Sequence, residues 1–183
     1  MCIRDRSKLI LKTVDGIERP AITALWPNPK GNSVVLDLGA NIDISANQLV
    51  QFGIMGYAYA LCVLKNENPK VAILNIGHEE MKGSNNLQEA YDKLSNIFSS
   101  NFIGFVEGDD LSKGTSDVII TDGFTGNVAL KTAEGIAKLI AHYLSDSLKS
   151  SLTGKLGMFI AQKSLKSLKE KIDPRGNNGG FFL

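Results

Sequence analysis

The residues best equipped for chemistry sit in a few glycine-bounded stretches. In NIGHEEMKG (75–83), Asn75 and Gly77 close an apolar run, His78 follows, and Glu79, Glu80 and Lys82 come next. Adjacent carboxylates can serve as an acid/base pair, hold a divalent cation given further ligands, or orient a neighbouring cation. His78 and His142 are the only histidines, and neither has a partner at metal-ligand spacing. In DGFTGNVALKT (122–132), Gly123 and Gly126 permit close backbone approach, and a helix is expected to begin at about Asn127. The backbone N–H groups and positive dipole end of such a helix start favour an anion such as phosphate, and Lys131 one turn in would add charge. The alternative is an ordinary strand-to-helix connection capped by Thr125 or Asn127. No GKS or GKT follows these glycines, and the chain has no GxGxxG, no GxSxG and no Cys/His pair. A Mg²⁺ at Glu79, Glu80 or Asp122 would lack a compact ligand motif.

Four apolar runs must position these loops: VVLDLG (34–39), VAILNIG (71–77), FIGFVEG (102–108) and DVIITDG (117–123). Runs this short and continuous fit strands buried on both faces of a parallel or mixed sheet. Residues 45–64 read as a helix with Val50, Ile54, Tyr57, Leu61 and Leu64 on one row and Leu49, Phe52 and Val63 on a second, so it is expected to be well buried. Gly53 and Gly56 would admit a close neighbour. Residues 85–98 read as a shorter amphipathic helix with Leu87, Ala90, Tyr91 and Leu94. The alternation implies an α/β layered fold with helices on both faces of the sheet. Each run ends in polar residues: Asp37, Gly39 and Asn41; Asn75 and Glu79; Glu107 and Asp109; Asp122 and Asn127. In open α/β sheets ligands bind beyond such carboxyl ends, although Asp, Asn and Gly also make turns and caps there.

From Asn127 the pattern becomes helical, through Val128, Ile136, Leu139, Ile140, Tyr143, Leu144 and Leu148 to about Lys149. KSSLTG (149–154) reads as a turn. A second helix is expected over 155–172, with Met158, Ala161, Leu165, Leu168 and Ile172 as its seam and Pro174 beyond its end. The pair (127–172) reads as a helical hairpin projecting from the α/β body. Near its turn lie Leu152, Leu156, Phe159 and Ile160, surrounded by Lys149, Lys155, Lys163, Lys166, Lys169 and Lys171. Such a basic amphipathic tip fits an anionic membrane surface, and equally a dimer interface edged by solvated lysines.

With 183 residues and a net charge of +1, the chain has the size of one large domain and no basic excess of the kind that marks a nucleic-acid binder. Its two cysteines, Cys2 and Cys62, make no disulfide framework and read as free thiols of a reducing compartment. No apolar run is long enough to span a bilayer. MCIRDR (1–6) reads as an artefactual leader, and NNGGFFL (177–183) as a strand or loop cut short.

Taken in order, GIERPAI (16–22), LDLGAN (36–41), LVQFGIMG (49–56), NIGHEEMKG, NFIGFVEGDD (101–110), DVIITDGFTGNVALKTAEG (117–135) and KIDPRGNNGG (171–180) closely resemble the PlsX family of phosphate acyltransferases. The resemblance runs from about Leu9 to the end, over a chain about half the family's length that lacks its amino-terminal lobe and its extreme carboxyl terminus. It implies a fold like that of phosphate acetyltransferases and isocitrate dehydrogenases. It implies transfer of an acyl group from acyl carrier protein to inorganic phosphate, giving acyl phosphate for phospholipid synthesis. It implies a cytoplasmic homodimer, with no metal or nucleotide cofactor, that associates peripherally with the membrane and delivers product to a membrane-bound glycerol-phosphate acyltransferase. A truncated, inactive homologue that only docks membrane or acyl carrier protein is the alternative, as is a phosphate acetyltransferase or dehydrogenase of the same broad fold. On this reading Gly123, Gly126 and Asn127 cradle phosphate, Lys131 offsets its charge, and Asn41 and Asn75 bond the substrate or oxyanion. Glu79 and Glu80 orient Lys82 or act as a base, and Asp37, Gly39, Gly77, Glu107 and Asp122 line the substrate side.

Overall fold

The computed structural model describes residues 12–172 and 178–182. They fall into two compact units, Met1–Asn127 with Asn178–Leu183, and Val128–Asn177.

The first unit is a six-stranded mixed sheet. Its strands are β1 (Ala21–Asn28), β2 (Gly31–Leu36), β3 (Val71–Leu74), β4 (Phe102–Val106), β5 (Val118–Ile120) and β6 (Asn178–Phe182), in the order β4-β3-β5-β2-β1-β6. Strands β2, β5, β3 and β4 are parallel, whereas β1 runs antiparallel to both β2 and β6. Val118 of β5 is in register with Val34 on one side and Val71 on the other.

The continuous apolar runs have a direct cause. Val34, Leu36, Val71, Ile73, Val118 and Ile120 join the main core, while the opposite-facing Val35, Ala72 and Ile119 are equally buried. Both faces are covered, so no alternation of polar residues is needed. The strands are shorter than the runs because the polar residues that close each run have already left the sheet.

Strand β1 was not among the expected elements. Pro20 and Pro27 flank or interrupt it, and proline weakens any reading as a strand. The antiparallel hairpin accommodates it. Asn28 pairs with Gly31, the Lys30 N–H donates to Asn28 Oδ1 at 2.8 Å, and Gly31 turns with φ +137°.

Helix α1 (Ala46–Cys62) connects β2 to β3, and α2 (Asn85–Phe98) connects β3 to β4. Both crossovers step the same way along the sheet, so right-handed connection places both helices on one face, where they pack together. Ser45 and Gln48 form a reciprocal capping box at the start of α1. The face that α1 buries fully is Leu49, Phe52, Met55 and Ala60; Val50, Tyr57 and Leu64 of the other row pack half-buried against the core, and Ile54 and Val63 are exposed. Gly53 and Gly56 are required for the helix to lie this close. A Cβ at Gly53 would stand 2.8 Å from Leu94 Cδ2, and one at Gly56 would stand 2.7 Å from Leu36 Cδ1. Helix α2 is capped by Ser84, which accepts from the Leu87 N–H, and it buries Ala90 and Leu94. Its Tyr91 packs on Phe102 and Phe105, with ring centroids 5.1 and 5.0 Å away.

Helix α3 (Gly123–Lys149) opens in the first unit, and its remainder belongs to the second with α4 (Leu152–Ile160) and α5 (Gln162–Ile172). The single second helix expected over 155–172 is thus two helices, parted at Ala161, and it begins three residues early. Ser151 caps α4 by accepting from the Gly154 N–H at 2.9 Å. Leu152, Leu156, Phe159 and Ile160 are all exposed, while Met158 is half-buried. Among the described residues, no helix is long and apolar enough to cross a membrane. The leader reading (1–6) and much of the KIDPR motif lie outside the described residues.

Candidate active site

The four parallel strands direct their carboxyl ends one way, and insertion of β5 between β2 and β3 creates a switch point there. Asp37, immediately after β2, is fully buried. Its Oδ1 accepts from the N–H groups of Ile22 (2.9 Å) and Ala40 (3.0 Å), and its Oδ2 accepts from the N–H (2.7 Å) and Nδ2 (2.9 Å) of Asn41. This carboxylate, expected on the substrate side, ties the turn to β1. Asn41 Nδ2 also donates to Pro20 O at 2.8 Å, so both of its hydrogens are engaged. Its buried Oδ1 has no hydrogen-bond partner.

The start of α3 also differs from expectation. Asp122 is its cap, accepting from Thr125 N–H at 2.8 Å and Thr125 Oγ1 at 2.6 Å, so the helix begins at Gly123 rather than near Asn127. The Gly123 N–H donates to Asn41 O at 2.7 Å, and the Gly126 N–H donates to Asp122 O at 2.9 Å. Both amides of the expected phosphate cradle are thus engaged within the protein. The two glycines permit close approach: a Cβ at Gly126 would overlap the carbonyl oxygen of Asp37, and one at Gly123 would stand 2.5 Å from that of Asn41. Asp122 is likewise a capping residue. Asn127 remains exposed and faces Gly39, where a Cβ would stand 3.5 Å from the Asn127 Cβ; Gly39 itself has φ +131°. Lys131 belongs to the second unit, where its charge is matched by Glu134 at 3.0 Å.

At the ends of β3 and β4 the charged residues pair off. Glu79 bonds Lys82 at 2.8 Å across buried Gly77, and that bond holds the Glu79 carboxyl below its ordinary range and Lys82 above its own. Glu80 instead accepts from the Tyr91 hydroxyl at 2.8 Å, a bond that raises the phenol's pKa. The adjacent glutamates therefore act on separate partners. Of the two roles expected for them, orienting Lys82 fits Glu79. Asn75 is buried and braces the same loop by donating to Lys82 O at 3.0 Å. Among the described residues, no three His, Cys, Asp or Glu side chains gather as a metal-binding group.

His78 Nδ1 donates to Phe105 O at 3.0 Å, and Nε2 lies 3.4 Å from Asp110 Oδ2 and 3.8 Å from Glu107 Oε1. The bond to Phe105 raises the His78 pKa most, and Asp110 and Glu107 add to it against the opposing charge of Lys113. Burial alone would raise the Asp110 pKa, but the bonds from Lys113 and the Glu107 N–H outweigh it and hold it low. Lys113 is pushed up by Asp109 and then Asp110. A histidine whose pKa rises on folding stabilises the fold fully below the ordinary value of 6.5, and that contribution is lost as pH rises through the folded value. The stability difference between the parent and His78→Ala, measured by denaturant midpoints, should therefore be larger below pH 6.5 and shrink as pH rises through the raised His78 pKa. A pH-independent difference would contradict this assignment.

Beyond these strand ends lies an open cleft of about 480 Å³, lined by Ile42–Ser45 and Leu49 on the α1 side, Ser84, Asn86 and Leu87 at the α2 start, and Asp122. Asn86 Nδ2 donates to Ile44 O at 2.9 Å and ties the two helix starts together. Of the expected site residues, only Asp122 lines this cleft. The serine caps that open α1 and α2 were the available signal: each marks a helix start at a strand's carboxyl end.

The fold is that of an α/β protein with an open cleft near the switch point of a mixed sheet. Solved structures with the same arrangement include EutD phosphotransacetylase from Staphylococcus aureus (TM-score 0.56, 17% identity, 72% of this chain and 46% of that one) and a phosphotransacetylase from Streptococcus pyogenes (TM-score 0.55, 19% identity, 69% and 44%). At these identities the likeness is one of fold. A family model described as "Fatty acid synthesis protein" matches residues 3–183, and the chain belongs to that family. Similar relatives include proteins named phosphate acyltransferase from Rhodospirillum rubrum, 52% identical over 97% of this chain and 51% of the relative, and from Parvibaculum lavamentivorans, 48% identical over 97% and 49%. The chain spans about half the length of the relatives it matches.

Proposed function

We propose that this chain forms part of a phosphate acyltransferase, which moves a fatty acyl group from acyl carrier protein to inorganic phosphate and supplies acyl phosphate for phospholipid synthesis. The observation that carries this reading is the 52% identity over 97% of the chain to a relative of that name. In the reaction a phosphate oxygen attacks the thioester carbonyl carbon. A C–O bond forms, the C–S bond breaks, and the departing thiolate takes the proton that phosphate gives up. Positioning and charge stabilisation suffice for such a step, and no covalent nucleophile from the protein is needed. On this reading exposed Asn127 beside Gly39 meets phosphate and Lys82, paired with Glu79, is the cation at the β3 end, a reading supported by the exposure of Asn127 and the 2.8 Å ion pair. The assay incubates the acyl thioester of acyl carrier protein with phosphate and traps acyl phosphate with hydroxylamine. The intact gene product should form hydroxamate; none at all would sink the reading.

A second part of the proposal concerns place and partners. Leu152 (84% exposed), Phe159 (76%) and Ile160 (75%) sit beside Lys149 and Lys155, a pattern that supports peripheral attachment of a cytoplasmic homodimer to an anionic membrane surface. Attachment would bring acyl phosphate to a membrane-bound glycerol-phosphate acyltransferase. The intact protein should float with anionic vesicles and not with neutral ones; failure to float with either counts against it.

A further inference from the structure

The cleft beyond the strand ends is chemically one-sided. Asp43 and Asp122 border it, and among the described residues no lysine or arginine lines it. Leu49 and Leu87, both largely buried, give it an apolar floor, and Ile42, which also lines it, is 68% exposed. Ser45 Oγ accepts from the Gln48 N–H, and Ser84 Oγ from the Leu87 N–H. Each hydroxyl hydrogen is left to donate to a ligand. A phosphate dianion placed here would face two carboxylates with no cation, in a space several times larger than a five-atom ion fills. A long neutral chain with amides meets complementary groups throughout. Its carbonyl oxygens suit the two hydroxyls, its amide N–H suits Asp43, and its methylenes suit Ile42 and the floor.

We propose that this cleft binds the neutral arm of the acyl donor, the amide-bearing pantetheine thioester with the first methylenes of the acyl group, and that phosphate is held outside it. The assignment rests on the phosphate acyltransferase reading for the identity of the donor. Two exposed lining residues test it in the intact gene product. Ile42→Ser should raise KM for the acyl thioester about tenfold while Ile42→Leu leaves it near the parent value, since a buried branched aliphatic contact is of that order. Asp43→Asn should also raise KM for the thioester and leave KM for phosphate unchanged. A fall in KM for phosphate on Asp43→Asn would place phosphate in the cleft and overturn the proposal, as would an unchanged thioester KM in both variants. A binding measurement decides the matter without turnover. In NMR titrations of the 183-residue chain, decanoyl-pantetheine should shift the Asn86 side-chain amide signals and inorganic phosphate should not. Shifts with phosphate alone, or with neither probe, overturn the assignment. Absence of hydroxamate from the unmutated protein would sink the functional reading instead, and the titration would still decide the cleft.

Discussion

Gly126→Ala is expected to destabilise the protein by about 3 kcal/mol, even after the roughly 1 kcal/mol that alanine returns through helix propensity. The added methyl would overlap the Asp37 carbonyl oxygen and crowd Thr121 Cγ2 at 2.8 Å. Neither neighbour can give way cheaply. The Asp37 carbonyl belongs to backbone, and its own N–H is bonded to Thr121 O at 3.0 Å beside β5. Gly135, in the same helix, has nothing within 4 Å of its hypothetical Cβ, so Gly135→Ala should be neutral or stabilising by up to about 1 kcal/mol. Denaturant midpoints of the two variants make the comparison. If Gly126→Ala matched Gly135→Ala, the close approach at the start of α3 would be wrong.

Asp37→Ala should cost about 4 kcal/mol, a large part of the 5–15 kcal/mol typical of a folded domain. It strips the acceptor from four donors: the N–H groups of Ile22, Ala40 and Asn41 and the Asn41 side chain. Several of these groups lie where water cannot replace the carboxylate. Asp37→Asn keeps the volume but turns one acceptor into a donor opposite other donors, so it should rescue little. Asp43→Ala, on the exposed side of the same turn, should stay within about 0.5 kcal/mol of the parent. Were Asp37→Ala to unfold at the parent's midpoint yet lose activity, the bracing role would be wrong and a substrate-binding role would stand in its place.

The contrast between Asp37 and Asp43 shows what the amino-acid pattern could reveal. The buried strands were legible because Val71–Leu74 and Val118–Ile120 must satisfy two apolar faces at once. Helix α1 was legible to within two residues at each end, the reading of 45–64 overrunning Cys62 because Val63 and Leu64 continue the apolar spacing. Which of its two apolar rows is the deeper was not, since Leu49, Phe52 and Met55 are no more apolar than the exposed Ile54. The polar residues at the strand ends were found, but not their duties. Asp37 and Asp122 look alike in sequence to any ligand-binding aspartate, and only the three-dimensional chain path gives one to Asn41 and the other to Thr125. The pairing of Glu80 with Tyr91 depends on how α2 lies against β4, which spacing along the chain does not encode. Strand β1 was hidden by its prolines. The glycines before Asn127 looked like a loop because nothing in the sequence places the Asp37 carbonyl against them.

The position of β5 bears on how the protein is made. It is the last of the four parallel strands to leave the ribosome, yet it belongs between the first two. From completion of Leu74 until Val118 emerges, β2 and β3 each carry an open edge where β5 will later pair. At about 5–20 residues per second, that interval lasts a few seconds. The nascent chain must therefore hold two apolar strands apart with a gap one strand wide, or let them pair wrongly and separate again. Synthesis that pauses in the β4–β5 connection prolongs the state in which this chain is most open to pairing with a stranger.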